Sequence, residues 1–148
     1  MDRLRFVSVD RSGAPTDASL TLDATARQAC EATAALYGRV GFAPPWLGYI
    51  AVLEDEVVGI CGFAAPPANG QVEIAYYTFP AFEGRGIATS MARELVGMAR
   101  AAGPGITVTA QTLAQSNAST RILEKLGFKR FRSLTHPEEG EVWEWTHD

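Results

Sequence analysis

The stretch Thr78-Phe79-Pro80-Ala81-Phe82-Glu83-Gly84-Arg85-Gly86-Ile87-Ala88-Thr89 carries residue types that handle an anion. Val72 to Phe79 is rich in aromatic and β-branched residues and reads as a strand. After the loop, Ile87, Met91, Leu95, Met98 and Ala102 fall on one face of a helix. A strand therefore feeds a glycine-containing loop that opens a helix. The first N–H groups of a helix have no partners within it, and the peptide dipoles leave that end partly positive. Phosphate or pyrophosphate is the matching ligand. Gly84 and Gly86 remove the Cβ atoms that would hold an anion off the backbone. Arg85 adds a cation suited to a phosphate. The competing reading is that both glycines only turn the chain into the helix.

Two known phosphate loops fail on spacing. A Walker A loop needs G-x-x-x-x-G-K-[ST], which is missing. The dinucleotide fingerprint G-x-G-x-x-G meets Thr89 where its last glycine should stand. Other chemistry-bearing residues are sparse. Cys30 and Cys61 form no C-x-x-C pair, and His136 and His147 lack ligand-like spacing. No disulfide framework and no metal are expected. Cys61 falls in an expected strand and reads as a buried apolar residue rather than a nucleophile. Glu138, Glu139 and Glu141 read as a solvated hairpin turn, with attraction of a cationic ligand as the other reading.

The run Glu73 to Pro80 followed by Glu83 to Thr89 resembles the acetyl-CoA motif of the GNAT superfamily of N-acetyltransferases, Q/R-x-x-G-x-G/A. Gly86 and Ala88 fall on its two small positions. Glu83 stands where Gln or Arg is usual, and a carboxylate near a pyrophosphate costs affinity unless it points away. The segment Gln115 to Phe128, with Leu126-Gly127-Phe128 at its end, resembles the family's last helix. Together the likeness covers roughly Tyr49 to Leu134, and it leans toward the subgroup of ribosomal-protein N-terminal acetyltransferases.

The resemblance implies direct transfer of acetyl from acetyl-CoA to a primary amine, without a covalent enzyme intermediate. It places the CoA pyrophosphate and pantetheine against Tyr77, Thr78, Phe79, Glu83, Gly84, Arg85, Gly86, Ile87, Ala88, Thr89 and Asn117. An amine with a pKa near ~10 must lose a proton before attack, and the leaving thiol has a pKa of roughly 8.5. Glu73 occupies the position of a strand Glu in many resembling sequences and is the candidate base; its competing role is structural. Backbone N–H groups near Thr78 and Phe79 are the expected donors to the carbonyl oxygen. Many members carry a Tyr four residues before the Gly-Phe pair, where this chain has Leu123. Ser119 matches a Ser used in the ribosomal-protein subgroup and is the candidate donor to the departing sulfur. The acceptor is left open among a protein N-terminus, a lysine and a small molecule. Alternatives are transfer of another acyl group and a CoA-binding domain without catalysis.

These residues need a scaffold. Leu4 to Val9 reads as a strand, Leu22 to Tyr37 as a helix ended by Gly38, and Tyr49–Leu53 with Val57–Phe63 as a hairpin. Ile106–Ala110 reads as a strand and Ser116–Leu126 as a helix with Ser116 or Asn117 as N-cap. Phe128–Leu134 and Val142–Thr146 form a closing hairpin. The order suggests an α/β (α+β) fold of three layers, GNAT-like, with a central mixed, mostly antiparallel sheet flanked by helices. Tyr37, Phe42 and Trp46 read first as packing and second as an acceptor-side lining.

All 148 residues read as one domain, with no repeat or linker. A hydrophobic fraction of 47%, a charged fraction of 20% and a net charge of −4 fit an ordinary globular protein. Lys and Arg are spread along the chain, so nucleic acid is not an expected partner. No run approaches the ~20 apolar residues that span a bilayer. The first ten residues are too charged for a signal peptide, and a cytoplasmic location is expected. Self-association as a homodimer is left open.

Overall fold

The computed structural model describes residues 4–148. Its elements are β1 (Arg5–Ser8), α1 (Ala24–Val40), β2 (Gly48–Leu53), β3 (Glu56–Phe63), β4 (Gln71–Thr78), a 3-10 turn (Pro80–Phe82), α2 (Ile87–Ala102), β5 (Thr107–Leu113), α3 (Ala118–Lys125), β6 (Lys129–His136) and β7 (Gly140–His147). One seven-stranded sheet runs β1-β2-β3-β4-β5-β7-β6. The β4–β5 pairing is parallel and the other pairings are antiparallel. The mixed, mostly antiparallel three-layer fold expected from the sequence is what forms.

Alternation along the strands separates two packed faces. On one face, Val58, Val72, Ile74, Val108 and Ala110 meet Ile87, Met91, Leu95 and Ala99 of α2, with Leu123 of α3 in the same cluster. On the other, Val7, Val9, Ile50 and Val52 pack with Cys30 of α1. The expected α2 face holds at Ile87, Met91 and Leu95, but Ala99 is buried where the spacing pointed to half-buried Met98 and exposed Ala102, and element ends moved. Helix α1 starts after Asp23, whose carboxylate accepts from the Ala26 N–H at 2.8 Å. Gly38 does not end it. The chain stays helical to Val40, and Gly41, at φ 99°, makes the stop while its N–H donates to Tyr37 O. Similarly, β5 extends to Leu113 and α3 begins only at Ala118. The strand order β5-β7-β6 was not legible, since the closing hairpin lays its second strand against β5.

Two features position the site. Strands β4 and β5 pair only from Gln71↔Thr107 to Glu73↔Thr109. Beyond that, β4 continues against β3 and β5 against β7, so the sheet splits open. At the closed end, Arg100 of α2 donates to the Ile106 and His147 carbonyl oxygens, the latter at 2.7 Å. This guanidinium ties the last turn of α2 to the start of β5 and the end of β7. At the far sheet edge, β6 exposes Lys129, Arg130 and Arg132, charges that discourage unplanned strand pairing. No helix among the described residues is long and apolar enough to cross a membrane.

Leu95 is fully buried where α2 meets the sheet. Leu95→Ala is expected to lower unfolding free energy by roughly 2–5 kcal/mol, read as a lower urea midpoint with unchanged slope.

Candidate active site

The split in the sheet decides which backbone groups are free. The Ala64 N–H donates to Glu73 O and the Phe79 N–H to Val58 O, both at 2.9 Å. In an antiparallel ladder such bonds fall on alternate residues, so the N–H and C=O groups of Tyr76 and Thr78 point away from β3. Strand β5 has already parted there, so they open into the gap. The sequence expectation that Phe79 supplies a free N–H is therefore corrected, because Val58 already accepts from it. Tyr76 takes that place beside Thr78.

The gap is a cleft of about 690 Å³. Tyr76, Tyr77 and Thr78 form its strand wall. Glu83, Gly84 and Gly86, then Ile87, Ala88 and Thr89, form the loop and the mouth of α2. Ala118, Ser119 and Ile122 of α3 close the opposite side. Of the residues expected at a CoA site, Tyr77, Thr78, Glu83, Gly84, Gly86, Ile87, Ala88, Thr89 and Ser119 thus come together. Three do not line the cleft. Phe79 is buried in the core, and Arg85 is exposed with its guanidinium 5.6 Å from the Phe82 ring centroid. Asn117 is committed to capping α3. Its side chain accepts from the Thr120 N–H at 3.0 Å, while its own N–H donates to Thr120 Oγ1 at 2.9 Å. Tyr76, Ala118 and Ile122 were missed. Strand alternation signalled Tyr76, and the three-residue step from Ser119 signalled Ile122.

Both helices present their N-termini to the cleft. Gly86 is the N-cap of α2 at φ 78°, and no side chain caps the helix. The donors at its start are left for a ligand. A Cβ at Gly84 or Gly86 would meet nothing within 4 Å. Glycine is required here by the left-handed backbone, at φ 81° and 78°, not by crowding. The capping box at α3 fixes that helix start and carries Ser119 into the cleft as its second residue. Thr78 Oγ1 is buried without a hydrogen-bond partner among the described residues. Buried polar groups are nearly always paired, so this hydroxyl in the cleft wall is an exception.

Glu73 stands at the foot of the split, half-buried, rather than in the cleft lining. Burial raises its pKa above the usual carboxylate value, and nearby Glu144 pushes the same way while His136 opposes them. Burial also pushes the Tyr76 phenol up to about 12. Leu123, at the position of the family's Tyr, is fully buried and offers no proton. The first reading of the aromatic trio holds. The Tyr37 hydroxyl donates to Val9 O and accepts from the Gly48 N–H, Phe42 meets Tyr37 edge-on, and Trp46 meets Phe63 edge-on. Cys61 is buried, and burial raises its thiol pKa far out of nucleophile range.

A mixed sheet that splits between two parallel strands, with an uncapped helix mouth at the split, leaves backbone donors free along one elongated cleft. The particular family follows from comparison. A model of the acetyltransferase (GNAT) domain matches residues 10–129, and the chain belongs to that family. Among solved structures it is similar to RimL, the ribosomal L7/L12 alpha-N-protein acetyltransferase in complex with coenzyme A. That match has 17% identity over 98% of this chain and 93% of the other, with a TM-score of 0.70. It is similar to the microcin C7 self-immunity acetyltransferase MccE, bound to acetyl-CoA and AMP, at 16% identity, 83% and 69% coverage and a TM-score of 0.65. The aminoglycoside acetyltransferase AAC(6')-Ib with coenzyme A follows at 21% identity, 68% and 65% coverage and a TM-score of 0.57. No curated protein matches by sequence.

Glu83 is exposed at the cleft mouth, where an anionic ligand would feel its charge. Through water over one Debye length that repulsion is modest, so Glu83→Gln is expected to tighten CoA binding by about two- to fivefold. Titration calorimetry at low and high salt checks this, with the gain shrinking as salt rises.

Proposed function

We propose that this chain transfers the acetyl group of acetyl-CoA to a primary amine by direct attack within a ternary complex. The observation that carries this reading is the split between β4 and β5. It joins unpaired strand donors, an uncapped α2 and the start of α3 around one elongated cleft. The residues present fit the cosubstrate. The α2 mouth and the Gly84–Gly86 backbone suit a pyrophosphate, and the Tyr76 and Thr78 backbone suits the amide-bearing arm. Thr78 Oγ1 gains the partner it otherwise lacks.

Each step then has a group to serve it. Glu73, whose raised pKa makes it a better proton acceptor than an ordinary carboxylate, takes the amine proton directly or through water. The freed nitrogen forms a bond to the thioester carbonyl carbon, and strand N–H groups stabilise the charge that develops on its oxygen. As the C–S bond breaks, Ser119 donates a hydrogen bond to the sulfur. The partly positive start of α3 favours the thiolate until it takes a proton. With Leu123 in place of a phenol, this helix end does the work of a dedicated acid. RimL and AAC(6')-Ib, by their names, act on a protein N-terminus and on aminoglycosides. The acceptor here falls in the same broad class of amines.

Thiol release from acetyl-CoA across peptides, lysine, polyamines and aminoglycosides tests the proposal. Release that depends on an amine supports it, and failure to bind acetyl-CoA would sink it. Glu73→Gln separates a catalytic from a structural role. Because the folded-state pKa of Glu73 lies above its ordinary 4.5, its contribution to stability is present below that value and lost as pH rises. The neutral Gln is therefore expected to raise the thermal midpoint at pH 7 and to give no gain near pH 4. At the same time kcat/KM is expected to fall by about 10²- to 10⁴-fold. A less stable variant with full turnover would assign Glu73 a purely structural role.

A further inference from the structure

A second cavity lies across β4 from the cleft, between α1 and strands β3 and β4. It is lined by Ala29, Thr33 and Leu36 of α1 and by Ile60, Ala75 and Tyr77 of the sheet, and no charged side chain borders it. Its volume is about 280 Å³. That is near the lower end of the range for ligand pockets, roughly 300 Å³, and suits one compact group rather than a large ligand. Tyr76 and Tyr77 line both this groove and the cleft, so the two spaces meet across a single strand.

The groove also has a polarity along its length. Glu73, Ala75 and Tyr77 alternate onto one face of β4, about 7 Å apart in succession. Register extends that face to Thr109, Gln111 and Glu144. Glu144 is near enough to raise the cost of ionising Glu73, and Arg132 holds Glu144 at 2.8 Å. An acidic end therefore adjoins an apolar groove on the α1 side, beside the point where the sheet opens. A cation next to a carbon-rich substituent is the ligand that satisfies both.

We propose that this groove is the acceptor subsite and that it selects primary amines bearing a compact apolar substituent beside the amino group. The proposal rests on the transferase reading above and narrows its substrate class. The protonated amine is drawn to the Glu73–Glu144 end, while the substituent leaves water between α1 and Ala75. An amine carrying a polar group of equal size must desolvate that group against Ala29, Leu36 and Ile60, beside a Thr33 hydroxyl whose proton is already donated to Ala29 O.

The test is acetyl-CoA-dependent thiol release with glycinamide, alaninamide, valinamide and leucinamide, against asparaginamide as a polar match for leucinamide in size. Tripeptides with the same first residues, run in parallel, distinguish a peptide N-terminus from a free small amine as the source of the group. The expected result is a rise in kcat/KM of roughly fourfold per added methylene until the groove is full. Leucinamide should exceed asparaginamide at least tenfold. Ala75 is exposed in the groove wall, so Ala75→Phe fills it without disturbing the core. It should lower kcat/KM for leucinamide at least tenfold more than for glycinamide. Ala29→Leu fills the same space from α1 and gives an independent reading if Ala75→Phe folds poorly. Turnover that ignores substituent size, or variants that slow every amine equally, would overturn the proposal and leave the transferase reading standing. No turnover with any amine would remove both.

Discussion

Everything at the site depends on the place where β4 and β5 stop pairing. Three registered pairs hold them together, ending at Glu73↔Thr109, and past that point each strand turns to its other neighbour. Unpaired strand groups are costly when buried and hazardous when exposed as an edge. Here they face an open cleft, where they are neither sealed in the core nor presented as a continuous outer edge. The closed end must be firm for the open end to exist. Arg100 supplies that firmness by bridging α2, the start of β5 and the end of β7 through backbone carbonyls.

Much of this was legible in the sequence because its signals are local. The glycine pair marked the turn into α2, the α2 stripe demanded an apolar sheet face, and Ser116 or Asn117 was readable as a cap. Element existence followed from spacing, and the family likeness added the order of parts. What could not be read was set by distant partners. Gly38 looked like a helix stop, yet its backbone stays helical and Gly41 takes the left-handed turn. Phe79 looked like a donor, and only the β3 register reveals that Val58 O already occupies its N–H. Asn117 was expected to touch the ligand, and the structure shows its Oδ1 and N–H capping the helix start on which Ser119 sits.

The same distinction separates residues that shape the cleft from those left unsatisfied within it. Asn117, Arg100 and Tyr37 are tied by hydrogen bonds to the fold itself, and they do not line the cleft. Thr78 Oγ1, the α2 mouth and Glu73 are each in surroundings that disfavour their present state: an unpaired hydroxyl, uncapped donors and a half-buried carboxylate near another. A fold built for stability alone would remove all three by ordinary substitutions. Their concentration around one opening is the physical sign of a site whose complement arrives from outside.

Two cavities meeting at Tyr76 and Tyr77 give that sign a direction. The cleft side of β4 carries backbone donors and helix mouths, which suit a long anionic molecule. The α1 side carries carboxylates and then a mostly apolar groove, which suit a cation with an apolar neighbour. A strand one residue thick separates the two, and its N–H groups open only where β5 has left. Reactants of opposite charge can therefore approach from opposite faces and meet only at the split. Under the proposed transfer, that arrangement would bring amine and thioester together without the protein carrying the group itself.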